Sequence, residues 1–176
     1  MIAQQASPPC TLDDQRISDE ARAIIRKNQQ EAPVNVSDIA RQFGLEVWLA
    51  PDMREGLSGA IIPSPEEEWG GSAGYAIFAN KKEAQVRQRF TIAHEIAHFL
   101  LHRDKIVGDG LSDSALYRSG LSNREEVEAN YVAADILMPF SLIDRLYEEG
   151  VTRLNDLARR LDVSEMALKI RLGIPT

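Results

Sequence analysis

The sequence predicts an α+β domain, a small antiparallel sheet packed against helices, one of which carries a His-Glu-x-x-His motif. Three observations lead there. Residues 89–102, Arg89-Phe90-Thr91-Ile92-Ala93-His94-Glu95-Ile96-Ala97-His98-Phe99-Leu100-Leu101-His102, hold the motif, and its neighbours Ile92, Ala93, Ile96, Ala97, Phe99, Leu100 and Leu101 are uncharged and mostly apolar, as a helix crossing a core requires. Three short runs ahead of it, 46–49, 57–62 and 75–80, have the β-branched and aromatic composition of strands. Amphipathic helical segments stand on both sides of this centre.

Taken in order, residues 1–11 are polar with two prolines and read as a disordered tail holding the chain's single cysteine, Cys10. A core helix follows, with Ile17, Ala21, Ile24 and Ile25 on one stripe. A second helix is expected from an N-cap at Ser37 to a stop at Gly44. The Pro- and Gly-rich loop after residue 62, with Glu66, Glu67, Glu68 and Trp69, reads as a solvated hairpin connection. Tyr75–Asn80 is the candidate for a sheet edge that could take substrate as an added strand. Beyond the motif helix, 105–120 is a polar connection, and helices follow at 124–138, stopped by Pro139, and at 141–149, closed by Gly150. Residues 12–149 are expected to form one catalytic domain. Residues 150–176, two helices about an Asp162-Val163 turn with Ser164 as N-cap, form a helix-turn-helix-like segment packed on it.

Composition sets outer bounds. A net charge of −7 argues against a general nucleic-acid binder, and one cysteine permits a reducing compartment. The first ten residues lack a signal-peptide pattern and no run reaches transmembrane length, so a cytoplasmic protein without a membrane role is expected.

The chemistry follows from helical spacing. Residues four apart lie on one face, so His94 and His98 can direct imidazole nitrogens at one metal while Glu95 reaches a water beside it. A catalytic zinc takes three protein ligands. His102 lies two turns from His94, about 12 Å along the axis, too far for all three histidines to close on one ion. The metzincin extension fails too, with Leu101 at its glycine position and Asp104 at its third histidine. A carboxylate from the 124–138 helix remains. Ser122-Asn123-Arg124-Glu125 fits a capping box that occupies Glu125. Glu128 lies about 200° round the helix from Glu126. Glu126 shares its stripe with Asn130, a lone amide in an apolar stretch, so Glu126 is the third-ligand candidate and Asn130 orients a ligand from behind. The competing account of these glutamates is a solvated first turn favoured by the helix dipole.

The motif-helix sequence 89–102, followed by Glu126-Val127-Glu128-Ala129-Asn130-Tyr131-Val132-Ala133-Ala134 and Leu137-Met138-Pro139, resembles the ImmA/IrrE family of gluzincin-like metallo-endopeptidases. The resemblance extends weakly over about residues 35–172. It implies Zn²⁺ on His94, His98 and Glu126, Glu95 as general base, and cleavage of a helix-turn-helix repressor that frees stress-response or mobile-element genes. Some family members carry a sensory domain, for which 176 residues leave no room. Tyr117, Arg118 and Tyr131 are positional candidates for stabilising the oxyanion.

The alternative function is a regulatory DNA- or protein-binding module, antitoxin- or scaffold-like, with a structural metal site. In the C-terminal pair the basic residues of the second helix, Lys169 and Arg171, come late, whereas DNA-reading helices contact bases from their N-terminal part. Docking to the catalytic domain or to a repressor is therefore expected over direct DNA binding.

Overall fold

The computed structural model describes residues 10–64, 69–106 and 123–175. Cys10, assigned to the tail by composition, is instead buried in the main core beside Leu12 and Ile17, so the chain is already committed to the fold by residue 10. α1 (Asp19–Asn28) starts at Ser18, whose hydroxyl accepts the Ala21 N–H at 3.1 Å. α2 (Val36–Gln42) starts at Asn35 rather than Ser37: Asn35 Oδ1 accepts the Asp38 N–H at 3.1 Å. Asparagine caps as well as serine, and the earlier start lets Val36 be buried from the first turn. Gly44, at φ +72°, ends this helix in the left-handed region.

β1 (Leu45–Ala50), β2 (Gly59–Pro63) and β3 (Tyr75–Asn80) form a three-stranded sheet in the order β1-β3-β2. β2 pairs antiparallel to β3, but β1 pairs parallel to it, so the sheet is mixed rather than wholly antiparallel. β3 is consequently the central strand and not an edge. Its Ala76, Ile77, Phe78 and Ala79 are all buried, the near-continuous apolar run of a strand covered on both faces. Alternation then sorts the sheet. Ile61, Ile77 and Ala79 face the main helical core, while Ala60, Ile62, Ala76 and Phe78 form a smaller cluster on the other face. Trp69 edges against Trp48 there at 5.4 Å and lies 6.5 Å from Phe78. Glu66, Glu67 and Glu68 lie outside the described residues.

α3 (Gln85–Leu101) crosses the helical face of the sheet, followed by a 3₁₀ turn, Arg103–Lys105. α4 (Asn123–Leu137) packs along α3, and α5 (Phe140–Glu148) follows Pro139. α6 (Leu154–Leu161) and α7 (Glu165–Leu172) meet at Asp162, and the Ser164 hydroxyl caps α7 by accepting the Ala167 N–H at 3.1 Å. Leu157, Leu161, Val163 and Leu168 belong to the same core cluster as α3 and α4, so the C-terminal pair shares one interior with the rest.

Candidate metal centre

The centre is built on the close approach of α3 to the sheet. A Cβ on Gly59 would stand 2.2 Å from Thr91 Cγ2 and 2.7 Å from the Phe78 carbonyl oxygen, so only glycine lets β2 and α3 meet there. From Thr91 to Phe99 every residue of α3 is buried. Polar side chains in that stretch must therefore find partners within the protein.

They find them in α4. His94 Nδ1 lies 3.0 Å from Asn130 Oδ1, and an amide oxygen can only accept, so that ring nitrogen carries the proton. His94 Nε2 is left as a lone pair, 2.9 Å from His98 Nε2. Glu126 brings its carboxylate oxygens to 3.3 Å from His94 Nε2 and 3.4 Å from His98 Nε2. One donor atom from each of His94, His98 and Glu126 lies within 4.8 Å of the others. Lone pairs and a carboxylate so gathered repel one another unless a cation sits among them. Two imidazole nitrogens and one carboxylate are the donor set of the His₂Glu catalytic zinc sites, and these residues fit a divalent ion.

Glu95, next to His94 along α3, is buried. Glu126 faces the histidines, whereas Glu128 faces the other way and receives His102 Nε2 at 3.2 Å, Arg16 Nη1 at 2.7 Å and Arg124 Nε at 2.9 Å. Burial alone would push the Glu128 carboxyl up, but those three donors outweigh it and bring it down to about 2. Glu125 is buried and pairs with Lys105; Ser122, its expected capping partner, lies outside the described residues. Of the oxyanion candidates, Tyr131 is exposed on α4, and Tyr117 and Arg118 lie outside the described residues.

Arg16 is the participant that sequence reasoning missed. It is 112 residues from Glu128 and nothing local marks it. The role of His102 had a local signal, because His94, His98 and His102 form one row at intervals of four along α3. Cys10 is not among the converging donors, and its thiol is pushed up to about 12 by burial and by its hydrogen bond to Asp14.

Fold and site together place a candidate metal site, His94, His98 and Glu126, on the core helix of a small α+β domain and the helix packed along it. The chain belongs to the metallopeptidase family described as the IrrE N-terminal-like domain (Peptidase_M78), whose family model matches residues 40–173. It is 43% identical over 95 residues to the radiation response metalloprotease IrrE of Deinococcus deserti, a match covering 51% of this chain and 33% of that protein. This chain thus spans about a third of that relative's length. Among solved structures, a Mycobacterium tuberculosis transcriptional regulator superposes with a TM-score of 0.56 at 19% identity, over 90% of this chain and 48% of that one, a likeness of fold. Among the described residues no helix is long and apolar enough to cross a membrane.

Proposed function

We propose that this protein is a zinc-dependent endopeptidase that cleaves a helix-turn-helix transcriptional repressor and so derepresses stress-response or mobile-element genes. The observation that carries the peptidase reading is the convergence of His94 Nε2, His98 Nε2 and the Glu126 carboxylate beside a buried Glu95. Bound there, the metal would polarise a peptide carbonyl and acidify a water. Glu95 takes the proton of the attacking water and hands it to the leaving amine. Asn130 keeps the His94 ring oriented through its Nδ1 proton. A groove of about 440 Å³ opens beside Asn130, lined by Phe90, Tyr131, Ala134, Met138 and Met166, and offers an apolar bed to residues flanking the scissile bond.

The repressor as substrate rests on family membership; the relatives' names speak of a radiation-response metalloprotease and a transcriptional regulator. Direct DNA reading by α6 and α7 is not favoured. Arg171 is occupied by Asp135 at 2.6 Å and by the Met138 carbonyl at 3.0 Å, while α7 exposes the large apolar side chains Met166 and Ile170. The test is to expose a native lysate to zinc-loaded wild type and, separately, to Glu95→Gln, and to catalogue new protein N-termini by mass spectrometry. A dominant cut in a helix-turn-helix regulator made by wild type alone is expected. Identical catalogues would transfer support to a regulatory binding module with a structural metal site.

A further inference from the structure

The metal-facing histidines differ in what stands behind them. His94 is backed by one amide, but His98 is backed by a chain of buried groups. His98 Nδ1 lies 3.1 Å from His102 Nδ1, and His102 Nε2 lies 3.2 Å from Glu128 Oε2. The Glu128 carboxylate only accepts, so His102 carries its proton on Nε2. A His98 that presents Nε2 to a metal carries its own proton on Nδ1, so His102 Nδ1, 3.1 Å away, is the acceptor. His98 then donates from Nδ1, with its Nε2 lone pair facing His94 and Glu126.

The anchor of the chain is unusual in its source. Glu128 is 2% exposed and takes a second donor, the Arg124 guanidinium, from its own helix and a third, Arg16, from the segment before α1. Arg16 is itself fixed by Asp14, with Nε 2.9 Å from Oδ1 and Nη2 2.9 Å from Oδ2. A carboxylate buried this deeply without its cations would be costly.

We infer that His102 is a positioning residue for the metal centre, and that Glu128 and Arg16 extend this support to the N-terminal segment by fixing the tautomer and orientation of the ligand His98. The inference rests on reading His94, His98 and Glu126 as the ligands. Groups that orient a metal-bound histidine change metal affinity by ~10–100-fold when removed. Asparagine at position 102 can place an amide oxygen near the present Nδ1 and keep an acceptor for His98. Leucine fills a similar volume and accepts nothing.

The experiment measures affinity for Co²⁺ alone, by chelator competition, together with the visible spectrum of the bound Co²⁺, in the full chain. His102→Leu should bind ~10–100-fold more weakly and with an altered spectrum. His102→Asn should recover most of the affinity and the wild-type spectrum, and Arg16→Met should show a smaller loss in the direction of His102→Leu. Thermal unfolding of the metal-free proteins identifies any variant that has lost its fold. Wild-type affinity and spectrum in a folded His102→Leu would overturn the inference. Equal losses in His102→Leu and His102→Asn would also overturn it, by making packing rather than the acceptor responsible. An unchanged Arg16→Met would remove the N-terminal segment from the chain. Wild-type protein that binds no Co²⁺ would instead overturn the metal reading itself, an outcome distinct from any difference among variants.

Discussion

Arg89 of the motif helix holds Asp162 of the C-terminal turn by two routes, its Nε standing 3.0 Å from the Asp162 carbonyl oxygen and 3.1 Å from the carboxylate. The same guanidinium gives an N–H to the Val34 carbonyl at 2.9 Å. One side chain thus joins the entry to α2, the first half of α3 and the helix-turn-helix-like pair. Asp162 sits at φ +52°, and this clamp helps hold a non-glycine residue in that region.

Replacing Arg89 by alanine removes these bonds and leaves partly buried acceptors unpaired. A loss of about 2–4 kcal/mol is expected, read as a lower urea midpoint with an unchanged slope. Arg89→Lys should restore only part of it, since an ammonium cannot reproduce the planar fork. A midpoint unchanged in Arg89→Ala would mean that apolar packing alone holds the C-terminal pair.

Gly59→Ala tests whether α3 is seated by that glycine. The new methyl would collide with Thr91 Cγ2 and with the backbone at Phe78, and the backbone cannot swing aside. A destabilisation of about 1–3 kcal/mol is expected, with weakened metal binding because Thr91 lies one turn before the ligands. Gly59→Ala combined with Thr91→Ser should recover part of the stability by removing the colliding methyl; simple additivity of the two changes would refute the contact as the cause.

These contacts also mark where the sequence was legible. The motif helix, the β3 run and the facing stripe of Glu126 and Asn130 are encoded in spacing along single elements, and the periods of 3.6 and 2 display them. The parallel pairing of β1 with β3 joins strands separated by β2, which no local pattern records. The burial of Cys10 belongs with it, because a polar, proline-containing composition says nothing of a later partner such as Ile17. The Arg16–Glu128 bond is of the same kind: the helix angle separates Glu128 from Glu126, but does not say what Glu128 faces.

Cys10 makes a pH-dependent prediction. Its thiol is pushed up to about 12 in the folded protein, against an ordinary value of 9.0, by burial first and the hydrogen bond to Asp14 second. The folded state therefore keeps a proton that the unfolded state releases. The resulting stabilisation is fully present below about pH 9 and is lost as pH rises towards about 12. Lysines and tyrosines titrate in the same range, so the quantity to read is the difference between wild type and Cys10→Ala, whose alkaline decline should be shallower. Correspondingly, the thiol should resist alkylation at pH 8 in the folded protein and react once urea unfolds it. Rapid alkylation of the native protein would refute the buried placement.

Metal binding should appear as stability, because the donors come together only in the folded chain. His94 and His98 lie on α3, whereas Glu126 comes from α4 across the helix pair, so an ion joining them ties two elements that unfolding separates. Free zinc at 100 times its dissociation constant adds about 2.7 kcal/mol, and chelation removes it. Glu126→Ala should abolish most of this zinc-dependent rise in melting temperature, while leaving the metal-free protein close to wild type because Glu126 is partly exposed and contributes no core packing. Glu95→Gln should keep the rise and lose cleavage, since its proposed work is proton transfer rather than ligation. The two variants therefore separate ligation from proton transfer by thermal shift in the presence and absence of zinc. A full zinc-dependent rise in Glu126→Ala would take the third ligand away from α4.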